Sequence, residues 1–281
     1  MKKNSQILLL TDFSEVSENS AWYALKIAEI IKAEVHILHV VNTPVEWNKL
    51  SLEKEKLYPE TREEISDAKV KLKDLARKFE DKGIITHPLI EFNLGAESIA
   101  TYMKFDEIEL IIMGSHGSKG IMEFSLGSNT QKIIRTITKP ILVVKNAPPR
   151  EEIKTIGFAS TFEEKQKNAF KKVVSLANLL NAKVELLFIN TPYNFRETQE
   201  IDAVIHEFCE GDIKNDCGKN TINANNETRG IKYFMQENEI DIFSIATGTK
   251  SGLAQFFVPS LTEVIINHLE VPVLSIHQKE K

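Results

Sequence analysis

An internal duplication limits the folds open to this chain more than any other feature. Thr191-Pro192 repeats Thr43-Pro44 148 positions on, each dipeptide closing an apolar run, Val35 to Val41 and Val184 to Asn190. Farther along, Gly252, Phe256, Ser260, Thr262, Ile265, Ile266 and Pro272 repeat Gly120, Phe124, Ser128, Thr130, Ile133, Ile134 and Pro140 at a spacing of 132. The fall from 148 to 132 makes the second copy 16 residues shorter in its middle, where the first copy carries a charged loop and a long helical pattern. A repeated pattern means a repeated structural unit. At 281 residues, each copy has enough chain to bury a core of its own. Asn146 to Glu152, with Pro148, Pro149 and a charge run, reads as a linker. The expected domains are therefore 1–146 and 153–281.

Within the first copy, Gln6 to Leu10, Val35 to Val41, Ile84 to Phe92, Leu110 to Met113 and Ile141 to Val144 are runs of strand length. Between them lie apolar residues at helical spacing: Ala21, Leu25, Ala28 and Ile31, then Ile65, Leu72, Leu75 and Phe79, then Ile133, Ile134 and Ile137. Ser14 is the expected N-cap of a helix reaching about Lys32, Gly83 the stop of the second helix, and Ala96 the start of a third. The second copy restarts at Ile153 to Phe158, and its third strand, somewhere in 211–228, is the least marked element. Strands alternating with helices predict an α/β fold with right-handed crossovers and a parallel sheet covered on both faces.

The apolar run Leu110 to Met113 leads into Gly114-Ser115-His116-Gly117 and, nine residues on, Gly127-Ser128, which opens an amphipathic segment. Ligands of such sheets bind beyond the carboxyl ends of the strands. A helix N-terminus placed there offers backbone N–H groups to an anion, so the spacing describes a phosphate cradle.

Gly114-x2-Gly117-x9-Gly127-Ser128, together with Thr11-Asp12-Phe13-Ser14, resembles the nucleotide-binding pattern of the universal stress protein family. The resemblance covers nearly the whole chain as two copies, and only the first keeps the glycines. It implies two tandem domains, each a five-stranded parallel sheet of order 3-2-1-4-5 with helices on both faces. It also implies ATP or another adenine nucleotide in the first domain, with Mg²⁺ on the phosphates compatible. Family dimers pair through their fifth strands, which implies an intramolecular pseudo-dimer of Ile141 to Val144 against Val271 to Leu274. Association of two chains into a homodimer stays open, and the protein partner is unnamed.

By the same resemblance Asp12 meets the ribose hydroxyls, although an Asp at that place also caps a helix well. Val40 packs on adenine or belongs to the core. Thr11, Phe13 and Met113 are implied backbone contacts, and Gly114, Gly117, Gly127, Ser128, Asn129 and Thr130 implied phosphate contacts. His116 approaches a phosphate or faces water, as does Lys119. In the second copy Ser160 stands for Asp12, Ala246 for Gly114, Thr249 for Gly117 and Pro259 for Gly127, so that pocket reads as degraded.

No Ser-Gly-Gly-x-Asp-Ser loop follows the first strand and no Gly-x4-Gly-Lys-Ser/Thr loop occurs, so no residue is assigned a catalytic role. A stress-response module that binds nucleotide with little or no turnover is expected, against a slow ATPase or a nucleotide-independent scaffold. A net charge of −5 gives no electrostatic case for nucleic acid or an anionic membrane. No apolar run approaches the ~20 residues of a membrane helix. Asp12 arrives before any signal-peptide core is complete, so a cytoplasmic location is expected. Cys209 and Cys217 show neither a zinc spacing nor a redox motif.

Overall fold

The structure is a computed structural model that describes residues 5–93, 107–115, 127–209, 217–247 and 261–278, with backbone only at Asn93, Ser128, Asn129 and Leu261. Its first-half strands are β1 (Gln6–Leu10), β2 (Glu34–Asn42), β3 (Thr86–Asn93), β4 (Ile108–Gly114) and β5 (Ile141–Val144). The second half supplies β6 (Thr155–Ala159), β7 (Lys183–Asn190), β8 (Cys217–Asn223), β9 (Ile242–Thr247) and β10 (Val273–His277). All ten lie in one sheet of order β3-β2-β1-β4-β5-β10-β9-β6-β7-β8, so each half reads 3-2-1-4-5 from its outer edge inward. Pairing is parallel within each half and antiparallel where β5 meets β10.

That central pairing follows from the strands themselves. An apolar fifth strand left as an edge would offer unpaired N–H and C=O groups to any other chain. Here Val143 faces Val273, Leu142 faces Leu274 and Ile141 faces Ser275, and all six are buried. The strand starts two residues later than the expected Val271, and Pro272, which has no N–H to donate, still accepts the Phe243 N–H with its carbonyl.

Among the described residues the helices are α1 (Glu15–Ile31), a short α2 (Leu52–Glu55), α3 (Pro59–Glu80), α4 (Ser128–Thr136), α5 (Lys167–Leu180), α6 (Thr198–Cys209), α7 (Glu227–Glu237) and α8 (Leu261–His268). Ser14 caps α1 by accepting the Ser17 N–H, and the helix buries Tyr23, Ala24, Ile27 and Ala28. Pro59 at the start of α3 loses no helical hydrogen bond, and the stripe Ile65, Ala68, Leu72, Leu75, Ala76 and Phe79 is buried. After it Gly83 takes φ +75, and Ile84 closes the turn on the Phe79 carbonyl, so β3 begins at Thr86 rather than Ile84. The helix expected from Ala96 lies outside the described residues. The poorly marked third strand of the second half is β8.

One apolar cluster runs under both halves on one face, from Ile7, Leu9 and Tyr23 to Ile156, Phe158 and Phe170, with α1 packed against α5. The other face joins Leu8, Ile111, Met113 and Ile133 to Phe234, Phe243 and Ile265. On that face Arg135 of α4 makes a two-point pair with Glu263 of α8, at 2.7 and 2.8 Å, across the junction of the halves. Between β5 and β6 the chain forms neither helix nor strand, and Arg150 there pairs with the buried Asp241.

Cys209, ending α6, and Cys217, opening β8, come within hydrogen-bonding reach. That contact, with burial, pushes the Cys217 thiol above its ordinary range. Among the described residues no helix is long and apolar enough to cross a membrane, and no His, Cys, Asp and Glu group could hold a metal ion.

Candidate functional site

The described residues among those singled out in the first half lie at the carboxyl ends of β1, β2 and β4 and at the start of α4, because β1 and β4 are neighbours although about 100 positions separate them. β1 ends at Leu10 and the chain turns through Thr11, Asp12 and Phe13 into α1. The Thr11 N–H bonds the Leu38 carbonyl at 2.9 Å, and its own carbonyl accepts from His39 Nδ1 at 2.8 Å. Thr11 Oγ1 takes the Phe13 N–H at 3.1 Å, and Phe13 sits at φ 61, a conformation costly for a side-chain-bearing residue. The backbone of Thr11 and the N–H of Phe13 are thereby committed to the turn, and the Phe13 ring packs on His39 with centroids 4.5 Å apart.

Asp12 stands half-buried at the tip of this turn. Its Oδ1 accepts the Ser14 N–H at 3.1 Å and the Ser14 hydroxyl at 2.6 Å, while Ser14 itself caps the helix. The carboxylate therefore orients the cap rather than being the cap. Val40 is half-buried against the second apolar cluster and Met113 is buried.

At the tip of β4 the Ser115 N–H bonds Val144, and the Ser115 carbonyl accepts the Gly127 N–H at 2.9 Å. Gly127 is the residue before α4, at φ −58 and ψ 144, a conformation open to any residue. Its N–H is spent on Ser115, so Gly127 positions the helix and does not itself supply the donor expected of it. The first helical bond runs from Gln131 to Gly127, which leaves the N–H groups of Ser128, Asn129 and Thr130 without an acceptor inside the helix. Thr130 is buried and its hydroxyl donates to the Gly114 carbonyl at 3.1 Å, tying the start of α4 to the end of β4. The proton of that hydroxyl is thereby committed to the fold. His116, Gly117 and Lys119 lie outside the described residues.

The second half repeats the turn with a shifted correspondence. Ile156 faces Val184 as Ile7 faces Val35, and the Ser160 N–H bonds Leu187 as the Thr11 N–H bonds Leu38, each 149 positions on. Ser160 Oγ accepts the Phe162 N–H, and Phe162 has φ 56. Ser160 thus replaces Thr11, and Thr161 replaces Asp12, which corrects the equivalence of Ser160 with Asp12. The spacing of 148 read from the Thr-Pro pairs arises because β7 has eight residues and β2 has nine. A signal for this was present in the sequence, since Phe162 matches Phe13 only at 149.

Comparison with known proteins decides the family. The model of the universal stress protein family matches residues 3–145, just over half of the chain. The chain belongs to that family. One universal stress protein of Methanocaldococcus jannaschii is 32% identical over 155 residues, 52% of this chain and 84% of that protein. Another from the same organism is 29% identical over 152 residues, 50% of this chain and 94% of that protein. A crystal structure of a universal stress protein from Archaeoglobus fulgidus covers 99% of this chain with all of its own, at a TM-score of 0.75 and 17% identity. At that identity the likeness shows the fold, and it extends the universal stress protein architecture over both halves.

Proposed function

We propose that this universal stress protein binds one adenine nucleotide, ATP, in its first half and acts as a binding and signalling module of a cytoplasmic stress response. Residues 1–146 form the nucleotide domain in this reading, and residues 153–281 a second domain whose motif has degenerated. The observation that carries the reading is the start of α4, fastened by Gly127 and Thr130 to the tip of β4. Three backbone N–H groups there have no acceptor inside the helix, and a helix N-terminus of this kind is a setting suited to phosphate. Charge-assisted bonds of this kind contribute roughly 1.5–3 kcal/mol each. Asp12 would face the ribose end, Val40 the base, and Mg²⁺ would ride on the phosphates with water completing its shell. Whether two chains associate further does not enter this reading, and the partner that senses occupancy is a protein.

Calorimetric titration of the full chain with ATP is expected to give one site per chain, since the second half has Ala246 for Gly114 and Pro259 for Gly127. Two equivalent sites would contradict the assignment, and no binding at millimolar ATP would leave a nucleotide-independent scaffold.

Turnover is expected to be slow. Hydrolysis needs a clamped γ-phosphate and a group that orients water. In the described crevice the carboxylate is Asp12, already engaged with Ser14 at the nucleoside end. Phosphate release should stay far below the ~1 per second at the lower end of ordinary enzymes, and a steady-state rate at or above that value would make the protein an enzyme.

A further inference from the structure

Both halves enter their first helix through a residue at positive φ, Phe13 at 61 and Phe162 at 56, yet they hold this costly turn differently. Phe162 is buried among Phe158, Phe188 and Phe208, with ring centroids 5.2 to 6.5 Å away. Phe13 is half-buried, with the His39 ring at 4.5 Å and Lys71 Nζ at 5.6 Å from its centroid. His39 and Phe188 occupy the same place. Leu9 faces Ile37 and Phe158 faces Leu186, so two residues on, along the same side of the second strand, stands His39 in one half and Phe188 in the other.

That exchange keeps a ring and removes a bond. His39 Nδ1 lies 2.8 Å from the Thr11 carbonyl oxygen, and since a carbonyl only accepts, Nδ1 carries the proton. A phenyl ring has no such donor for Ser160. Because the second half forms the same turn without it, the turn itself does not require the bond. What the bond sets is a peptide plane. The Thr11 carbonyl and the Asp12 N–H belong to one planar trans peptide and point in opposite directions, so drawing the carbonyl to β2 turns the Asp12 N–H away from β2. The neighbour of β1 on its other side is β4, whose tip holds the start of α4.

We propose that His39 is a positioning residue of the first-half site: its imidazole fixes the Thr11–Asp12 peptide plane, and with it the direction in which Asp12 meets a ligand. Phe188 is then a second difference between the halves, beside the missing glycines. The proposal rests on the assignment of ATP to the first half. It is tested by titrating the full chain and two variants with ATP. His39→Phe keeps a ring and removes the donor, whereas His39→Asn keeps an amide N–H near the place of Nδ1 and removes the ring. His39→Phe should weaken ATP about tenfold, the scale of one hydrogen bond, and His39→Asn should stay within about threefold of the unaltered chain. Thermal midpoints should rank the other way, since Phe188 shows that a phenyl ring fits this place. A merely structural His39 would make affinity follow stability. Should His39→Asn not fold, His39→Gln supplies the donor in its place. The Asp12 amide resonance of the ligand-free protein reads the peptide plane directly, and it should move in His39→Phe and stay close to its original position in His39→Asn. If the unaltered chain binds no ATP, the functional reading fails and this resonance alone decides the role of His39. Unchanged ATP affinity in His39→Phe, affinities that follow stability, or an Asp12 resonance that moves equally in both variants or in neither would each overturn the proposal.

Discussion

Asp241→Ala should destabilise the chain by about 3–5 kcal/mol, in the range for breaking a buried charge pair. The Asp241 side chain is 3% exposed. It accepts the N–H groups of Lys154 at 2.7 Å and Thr155 at 2.9 Å, and both Nε and Nη2 of Arg150. One carboxylate thus holds the start of β6, the start of β9 and the connection between the halves. Its charge also reaches Tyr23 of α1, whose phenol is pushed up mainly by burial and then by Asp241. Removing it orphans two backbone donors and leaves Arg150 with Glu239 alone. At 2–4 °C per kcal/mol for a domain of 150–250 residues, the thermal midpoint should fall by roughly 6–20 °C. The corresponding first-half residue, 132 positions earlier, is Glu109, which accepts the Ser5 hydroxyl, and Glu109→Ala should cost less. A loss under about 1 kcal/mol for Asp241→Ala would show that water substitutes freely at this junction.

The second large effect concerns Arg135 and Glu263. The Glu263 side chain is 2% exposed and that of Arg135 16%. Arg135→Ala takes the guanidinium from a carboxylate that stays buried, and should cost about 3–5 kcal/mol. Replacing both, as Arg135→Met with Glu263→Leu, should recover most of that loss, because the greater part of it is the penalty of a buried charge without its partner. Urea denaturation of the single and double variants checks this. A double variant as unstable as Arg135→Ala would mean that the pair contributes through its geometry, holding α4 against α8. Since α4 begins at the proposed phosphate end, ATP affinity should be measured on both.

Much of this was legible in the chain. The first-half strands were apolar runs and its helices apolar stripes, with Ser14 as the expected cap before α1, because a local segment must satisfy its own backbone and hide its own apolar face. The duplication was visible for the same reason, as both halves bury the same side of the same elements. The motif placed Asp12, Gly114 and Gly127 near one crevice, although the order of strands came from family resemblance and not from any residue spacing.

What the chain concealed depends on groups that meet only after folding. That the Gly127 N–H is spent on Ser115 and the Thr130 hydroxyl on Gly114 follows from how α4 lands on β4. The equivalence of Ser160 with Thr11 is settled by the register of β6 against β7, because a one-residue change in strand length breaks any single spacing counted along the sequence. Arg135 and Glu263 stand 128 positions apart, and nothing local marks either as one of a pair. Local physics wrote the elements into the sequence, whereas hydrogen-bond partners and charge pairs were settled by long-range packing that brings distant side chains into contact.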